Sequence, residues 1–294
     1  MSLLSSAPVE TLLMGRLQLS DVPRLARRHP LVLIGGGLLV LLIVMAIAAP
    51  LYAGNPVNMD PFKRLQPPSA EIWFGTDNLG RDVFARTVFG ARISLVVGLL
   101  SAACAALAGL LIGIIAGYSR TFDNMVMRVM DGLMSIPTIL LAIALIFLTG
   151  PGIGILIVAI AIPETPPVAR LVRSVVLGVR ERPYVEAALC GGARLPKVLW
   201  RHILPSTIPA LMVQGATVCA SAILTEAGLS FLGVGVPPEI PSWGNMIAGS
   251  RLYLASAPMT IFAPGICLAV TVLAVNLLGD GLRDLFDPRS KRRH

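Results

Sequence analysis

The stretch EAALCGGARLPKVLWRHILP, residues 186–205, is out of keeping with the chain around it. It carries Arg194, Lys197, Arg201 and His202, breaks at Gly191, Gly192 and Pro196, and is flanked on both sides by long apolar runs. The whole chain has a mean hydropathy of +0.79 and is 55% hydrophobic and only 14% charged. A soluble domain of this length carries nearer a quarter charged residues, so the chain reads as an integral membrane protein. The opening stretch is then a polar interruption between spans.

The 28 glycines and 23 prolines suit helices that pack closely or bend in lipid, where neighbours satisfy freed backbone groups. The net charge of +8 does not indicate a nucleic-acid surface, because the cations are scattered among apolar spans without interleaved aromatics. Cys104, Cys190, Cys219 and Cys267 are too far apart for a metal cluster or a disulfide framework and read as small packing residues. Glu10 and Asp21 argue against a cleavable signal, and residues 1–30 are expected to form a cytoplasmic leader.

A crossing needs about 20 mostly apolar residues. Six are expected, near 31–52, 93–117, 130–149, 153–177, 207–227 and 258–278, the fourth kinked at IPETPP by Pro163, Pro166 and Pro167. With the N-terminus inside, residues 1–30, 118–129, 170–201 and 281–294 hold 18 of the 24 Lys and Arg, the asymmetry expected of cytoplasmic segments. The fold class expected is thus all-α, a polytopic bundle of six transmembrane helices with both termini cytoplasmic. Its parts are the leader, a first helix with an external loop (31–92), a core of five helices (93–280) and a basic tail (281–294). Asp82, Arg86 and Arg92 are too polar for lipid, so 82–92 is expected as a short surface helix. The Gly- and Pro-rich loop between spans five and six is expected as a partly inserted turn, helix and turn.

Within the polar stretch, Pro183 suits the first turn of a short helix and Gly191–Gly192 its end, where a positive φ is often needed. Pro196 then opens a second helix, which Pro205 is expected to close. Val185, Ala188 and Leu189 form an apolar stripe on the first helix. Upstream, Arg170, Arg173 and Arg180 fall within about 80° of one another at about 100° per residue, a single basic face. Such a projection is either an interfacial hairpin on anionic lipid or a docking surface.

The spacing favours docking. Glu186-Ala187-Ala188, then Gly192, then Ile203, Leu204 and Pro205 resembles the EAA signature of the membrane subunits of ABC importers. The segments FGTDNLGRDVFARTVFGARISL (74–95), FDNMVMRVMDGLMSIPTILLAIAL (122–145), ILTEAGLSFLGVGVPPEIPSWGNM (223–246) and NLLGDGLRDLFDPR (276–289) are similar to the C-type subunit of the dipeptide and oligopeptide permease family. The resemblance runs over about residues 28–289. It implies the type I ABC importer permease fold in a prokaryotic inner membrane. The implied partners are a second homologous permease subunit, two cytosolic ATPases that bind ATP and Mg, and an extracytoplasmic binding protein delivering peptide. It also implies that Glu186, Ala187, Ala188, Gly192 and Ile203 to Pro205 form the ATPase-coupling loop, and residues 183–205 are expected to move as a rigid lever. Leu189 stands where the family has Arg, Gly191 where it has Leu, and IPETPPVAR lacks the usual aromatic.

The chain has only three lysines, Lys63, Lys197 and Lys291, none followed by Ser or Thr, so no GxxxxGK[ST] phosphate loop exists in it. No enzymatic role and no cofactor of its own are expected, and ATP falls to the partners. Ionisable groups within spans are functional candidates by default. Glu164 and Glu226 are the candidates for the path or gate, whereas Asp131 and Asp280 read as interfacial, paired with Arg128 and Arg283. His29, His202 and His294 are all expected on the cytosolic side, which weighs against the nickel importers of the same family. The broken fourth span would also suit an ion-driven secondary transporter, but the long resemblance decides against it.

Overall fold

A computed structural model describes residues 30–286 of the chain. The expected leader up to residue 29, with His29, and the tail from residue 287, with Lys291 and His294, lie outside these residues. The helices are α1 (Pro30–Tyr52), α2 (Val83–Tyr118), α3 (Arg120–Met134), α4 (Thr138–Thr149), α5 (Ile153–Arg180), α6 (Pro183–Cys190) and α7 (Leu195–Val198). A π-helical turn, Leu199–Ile203, leads into α8 (Leu204–Phe231), followed by α9 (Trp243–Ser250) and α10 (Met259–Phe286). Among the described residues there is no strand, only an isolated bridge between Thr76 and Asp82.

Among the described residues five helices are long and apolar enough to cross a membrane, α1, α2, α5, the continuous Leu195–Phe231 and α10, and the bent pair of α3 and α4 makes six if it counts as one span. The expected third span at 130–149 is a bent pair, α3 and α4, meeting at 95°. The cause is local. Pro137 cannot donate to a helix and disfavours helical geometry at Ile136, while α3 carries Arg120, Asp123, Arg128 and Asp131 on a segment too polar for lipid. α4 alone is only 12 residues long, too short to cross the hydrocarbon core.

The second span begins ten residues earlier than expected, and 82–92 is not a separate surface helix. Asp82 caps α2 by accepting from the Phe84 and Ala85 amides at 2.8 and 3.4 Å. The polar residues beyond it find partners. Arg86, 2% exposed, donates to the Pro56 carbonyl at 3.2 Å and lies 3.9 Å from the Asp77 carboxylate. Arg92 donates to the Ala46 and Ile47 carbonyls of α1 at 2.5 and 2.8 Å. Ala46 is the acceptor that Pro50, four residues on inside α1, leaves without its helical donor. A guanidinium is thus held where a proline frees a carbonyl, which makes both tolerable in the bundle.

α5 is helical through Pro163, Pro166 and Pro167. Its seam with α2 is built by small residues: Ala105, Gly109, Gly113 and Gly117 recur every fourth position and face Val168, Ala169, Val172 and Val176. A Cβ on Gly113 would lie 2.6 Å from the Val172 Cβ and 2.7 Å from the Ala169 carbonyl oxygen. α1 and α10 approach in the same way at Gly35 and Gly281, where an added Cβ would fall 2.6 Å from the Leu278 and Val32 nitrogens, respectively. Cys219 and Cys267 pack among core residues, whereas Cys104 and Cys190 are exposed on this chain.

Beyond α8, the expected turn, helix and turn is α9. Trp243 at its start is fully buried, donates from Nε1 to the Thr87 carbonyl at 2.9 Å and lies against Gly90 of α2.

Because the Gly113 side of the seam meets backbone, Gly113→Val is expected to destabilise the chain by roughly 1–3 kcal/mol. Thermal unfolding in detergent checks this against Gly178→Ala, whose Cβ meets nothing within 4 Å and which is expected to leave the transition unchanged.

Candidate coupling hairpin and buried acids

The helix α6 has Arg182 at its N-cap and Pro183 in its first turn, where the missing N–H costs nothing. Its end is a Schellman motif: the Gly192 amide donates to the Leu189 carbonyl and the Ala193 amide to the Ala188 carbonyl, both at 3.0 Å. Gly192 takes φ +80°, a left-handed conformation that a Cβ disfavours, and Gly191 beside it stays at φ −76°. Of the glycine pair, only Gly192 needs to be glycine for its backbone.

The second helix begins at Leu195, with Pro196 in its first turn, but Pro205 does not close it. The expected stop is replaced by the π turn, in which the Leu204 amide donates to Leu199, and the helix continues to Phe231. Pro205 has no amide to bond Arg201, and its ring would crowd that carbonyl in a regular helix. The wider π turn accommodates it.

The hairpin is fastened by its inner face. Val185 (1% exposed), Val198 and Ile203 (both 0%) join Val172, Val176 and Val179 of α5 and Ala102 and Ala105 of α2 in one apolar cluster. The predicted stripe of α6 is therefore only partly buried, since Ala188 is half-buried and Leu189 is 42% exposed. Glu186, Ala187 and Gly192 lie at the surface. The singled-out residues thus fall into two groups: Glu186, Ala187, Ala188 and Gly192 on the projecting part, and Ile203, Leu204 and Pro205 at the join with α8.

The basic face of α5 is not a free surface. Arg170 pairs with Asp131 and Arg173 with Asp123, the latter through Nε and Nη2, while Arg180 donates to the Gly117 carbonyl at 3.0 Å. Asp131 therefore pairs with Arg170 rather than Arg128, and Asp280 makes no ion pair with Arg283 among the described residues. These contacts strap α3 and the end of α2 to α5. Sequence reasoning missed them because the partners are 39 and 50 positions apart.

Glu164, half-buried on α5, accepts from the Ser221 hydroxyl of α8 at 2.6 Å. Glu226 is fully buried. Its carboxyl accepts from Ser94 of α2 at 3.0 Å and from Ser230 at 2.8 Å, and the Ser230 oxygen accepts the Val236 amide at 3.2 Å. One acid thereby joins α2, α8 and the loop after α8. The serines were not anticipated, although Ser230 stands one helical turn beyond Glu226.

Residues 109–292 match the family described as binding-protein-dependent transport system inner membrane component. The chain belongs to that family. Residues 18–68 of this permease also match the N-terminal transmembrane domain of oligopeptide transport permease C. It is 83% identical over 278 residues to a probable peptide ABC transporter permease of Sinorhizobium fredii, covering 95% of this chain and 96% of the relative. It is 41% identical to a dipeptide transport system permease of Alkalihalophilus pseudofirmus, covering 90% and 88% of the two chains. In fold it is similar to a chain of the MetNI methionine ABC transporter in an inward-facing form, with a TM-score of 0.57 at 19% identity, over 69% of this permease and 97% of that chain. That likeness confirms the type I importer architecture expected of the bundle.

Removing one hydroxyl leaves a buried carboxyl short of a donor, at a cost of about 1–3 kcal/mol. Ser94→Ala and Ser230→Ala are each expected to lower the thermal midpoint of the permease in detergent, whereas Ser174→Ala, at an exposed site, leaves it in place.

Proposed function

We propose that this permease forms half of the translocation path of an ATP-driven, binding-protein-dependent importer of dipeptides and oligopeptides. The observation that carries this reading is the hairpin of residues 183–205, whose inner face is locked into the α2–α5 core while Glu186, Ala187 and Gly192 project. An importer must open alternately to the two sides of the membrane, and a subunit without a phosphate loop must be moved by others. Two cytosolic ATPases, which bind ATP and Mg, engage the projecting residues. Their closure is transmitted through Val185, Val198 and Ile203 to α5 and α8. The other half of the path comes from a second homologous permease, and an extracytoplasmic binding protein delivers the peptide. The chain itself needs no cofactor.

The orientation, with the hairpin and both termini cytoplasmic in a prokaryotic inner membrane, rests on the distribution of Lys and Arg. Peptide as substrate rests on the relatives' names and the high identity to the first of them. Glu164 is the acid proposed to line the path, because it is only half-buried here and joins the two helices that the hairpin moves. Glu226 is proposed to act in gating by holding the loop after α8 to α2.

The lever is tested in proteoliposomes containing the four membrane and ATPase subunits with the binding protein. Glu186→Ala and Gly192→Val are expected to reduce peptide uptake at least about tenfold, the effect of about 1.4 kcal/mol of lost docking, and to lower peptide-stimulated ATP hydrolysis with it. Normal uptake and normal hydrolysis in both variants would remove the lever assignment. Competition by unlabelled dipeptide, with none by nickel, is the expected result for the substrate.

A further inference from the structure

One group of cations at the hairpin end of the bundle has no role in the contacts above. Arg170, Arg173 and Arg180 are engaged by Asp131, Asp123 and the Gly117 carbonyl. Lys197 and Arg201 are exposed, and neither has an ion pair or a side-chain hydrogen bond among the described residues. Between them stands Trp200, 73% exposed. Positions 197, 200 and 201 share one face of the helix, opposite the buried Val198 and Ile203 and the half-buried Leu199. With Pro205 they border a shallow cleft that is open to the surroundings.

The level of this cleft identifies its occupant. Pro205 stands at the start of α8, just before the apolar run at 207–227 expected to cross the membrane, and Trp200 is about five residues before it, roughly 7–8 Å along the axis. That is the depth of the headgroup layer bordering the hydrocarbon core. Indoles concentrate at this level because one edge is apolar and the other donates a hydrogen bond, and Lys and Arg there attract anionic lipid. We propose that the cleft holds the phosphate of an anionic phospholipid between Lys197 and Arg201, with the Trp200 ring against the glycerol region. The projecting residues Glu186, Ala187 and Gly192, which the ATPases engage, are on the other side of the glycine turn, and of the residues assigned to the coupling loop only Pro205 borders this surface. The lipid fastens the outer face of the hairpin's second helix to the membrane, as the valines fasten its inner face to the bundle.

The test places the full chain, assembled with its partner subunits, in nanodiscs of phosphatidylcholine. These contain equal fractions of either phosphatidylglycerol or phosphatidylcholine brominated near the glycerol end. Quenching due to Trp200 is the difference between the native chain and Trp200→Phe. The brominated anionic lipid is expected to quench Trp200 at roughly tenfold lower mole fraction than the neutral one, in keeping with two cations at the surface. Lys197→Gln combined with Arg201→Gln is expected to abolish that preference, and Lys197→Arg to retain it. Equal quenching by both lipids would overturn the proposal. So would quenching by neither, which would mean that a protein partner covers the indole, or loss of the preference on adding glycerol phosphate, which would make a soluble anion the ligand.

Discussion

The close approach of α2 and α5 is the contact on which the remainder of the molecule depends. Four small residues at every fourth position of α2 let the valines of α5 come within reach of its backbone. In lipid there is no hydrophobic force to draw helices together, so such packing has to come from shape. The seam ends at Gly117, which receives Val176 on one side and the Arg180 guanidinium on its carbonyl. From there the same apolar cluster continues into Val185, Val198 and Ile203. The bundle and the hairpin are therefore one packed body, and a displacement of the hairpin bears directly on the two helices at the centre.

Several polar groups inside the bundle are met by a partner from a different element, whereas Thr87, Thr165 and Thr271 bond carbonyls of their own helices. Arg92 meets the carbonyl that Pro50 releases, Ser221 meets Glu164, and Ser94 meets Glu226. No buried side-chain nitrogen or oxygen among the described residues is left without a partner. These contacts cross between helices that have few other directional interactions, so they set rotation and register where apolar packing is tolerant.

Much of the hairpin was legible in advance because its determinants are local. Pro183 can only begin a helix, and Gly192 supplies the positive φ that ends one. Other expectations failed where neighbours or helix type intervened, the stop at Pro205 and an unbroken span at 130–149 among them. A stop at Pro205 assumes an α-helix, and a π turn removes the clash. A span at 130–149 read from apolar residues alone takes no account of Ser135 to Pro137, which turn the chain. The α2 stripe could have been seen in the sequence, since its four-residue spacing is explicit, but only the facing valines show that it is a seam.

The sequence by itself determined that the chain lives in a membrane, the approximate places of most crossings, the helix, turn and helix of residues 183–205, and the importer-permease spacing of EAA, Gly and Pro. Hydropathy and backbone preference are properties of short windows and survive without knowledge of neighbours. Tertiary structure alone decided which cations are engaged and which are free, and which acids are enclosed. Asp131 is as close in sequence to Arg128 as a helix pair requires, yet it binds Arg170, because side-chain charges are satisfied by whichever helix packing brings nearest.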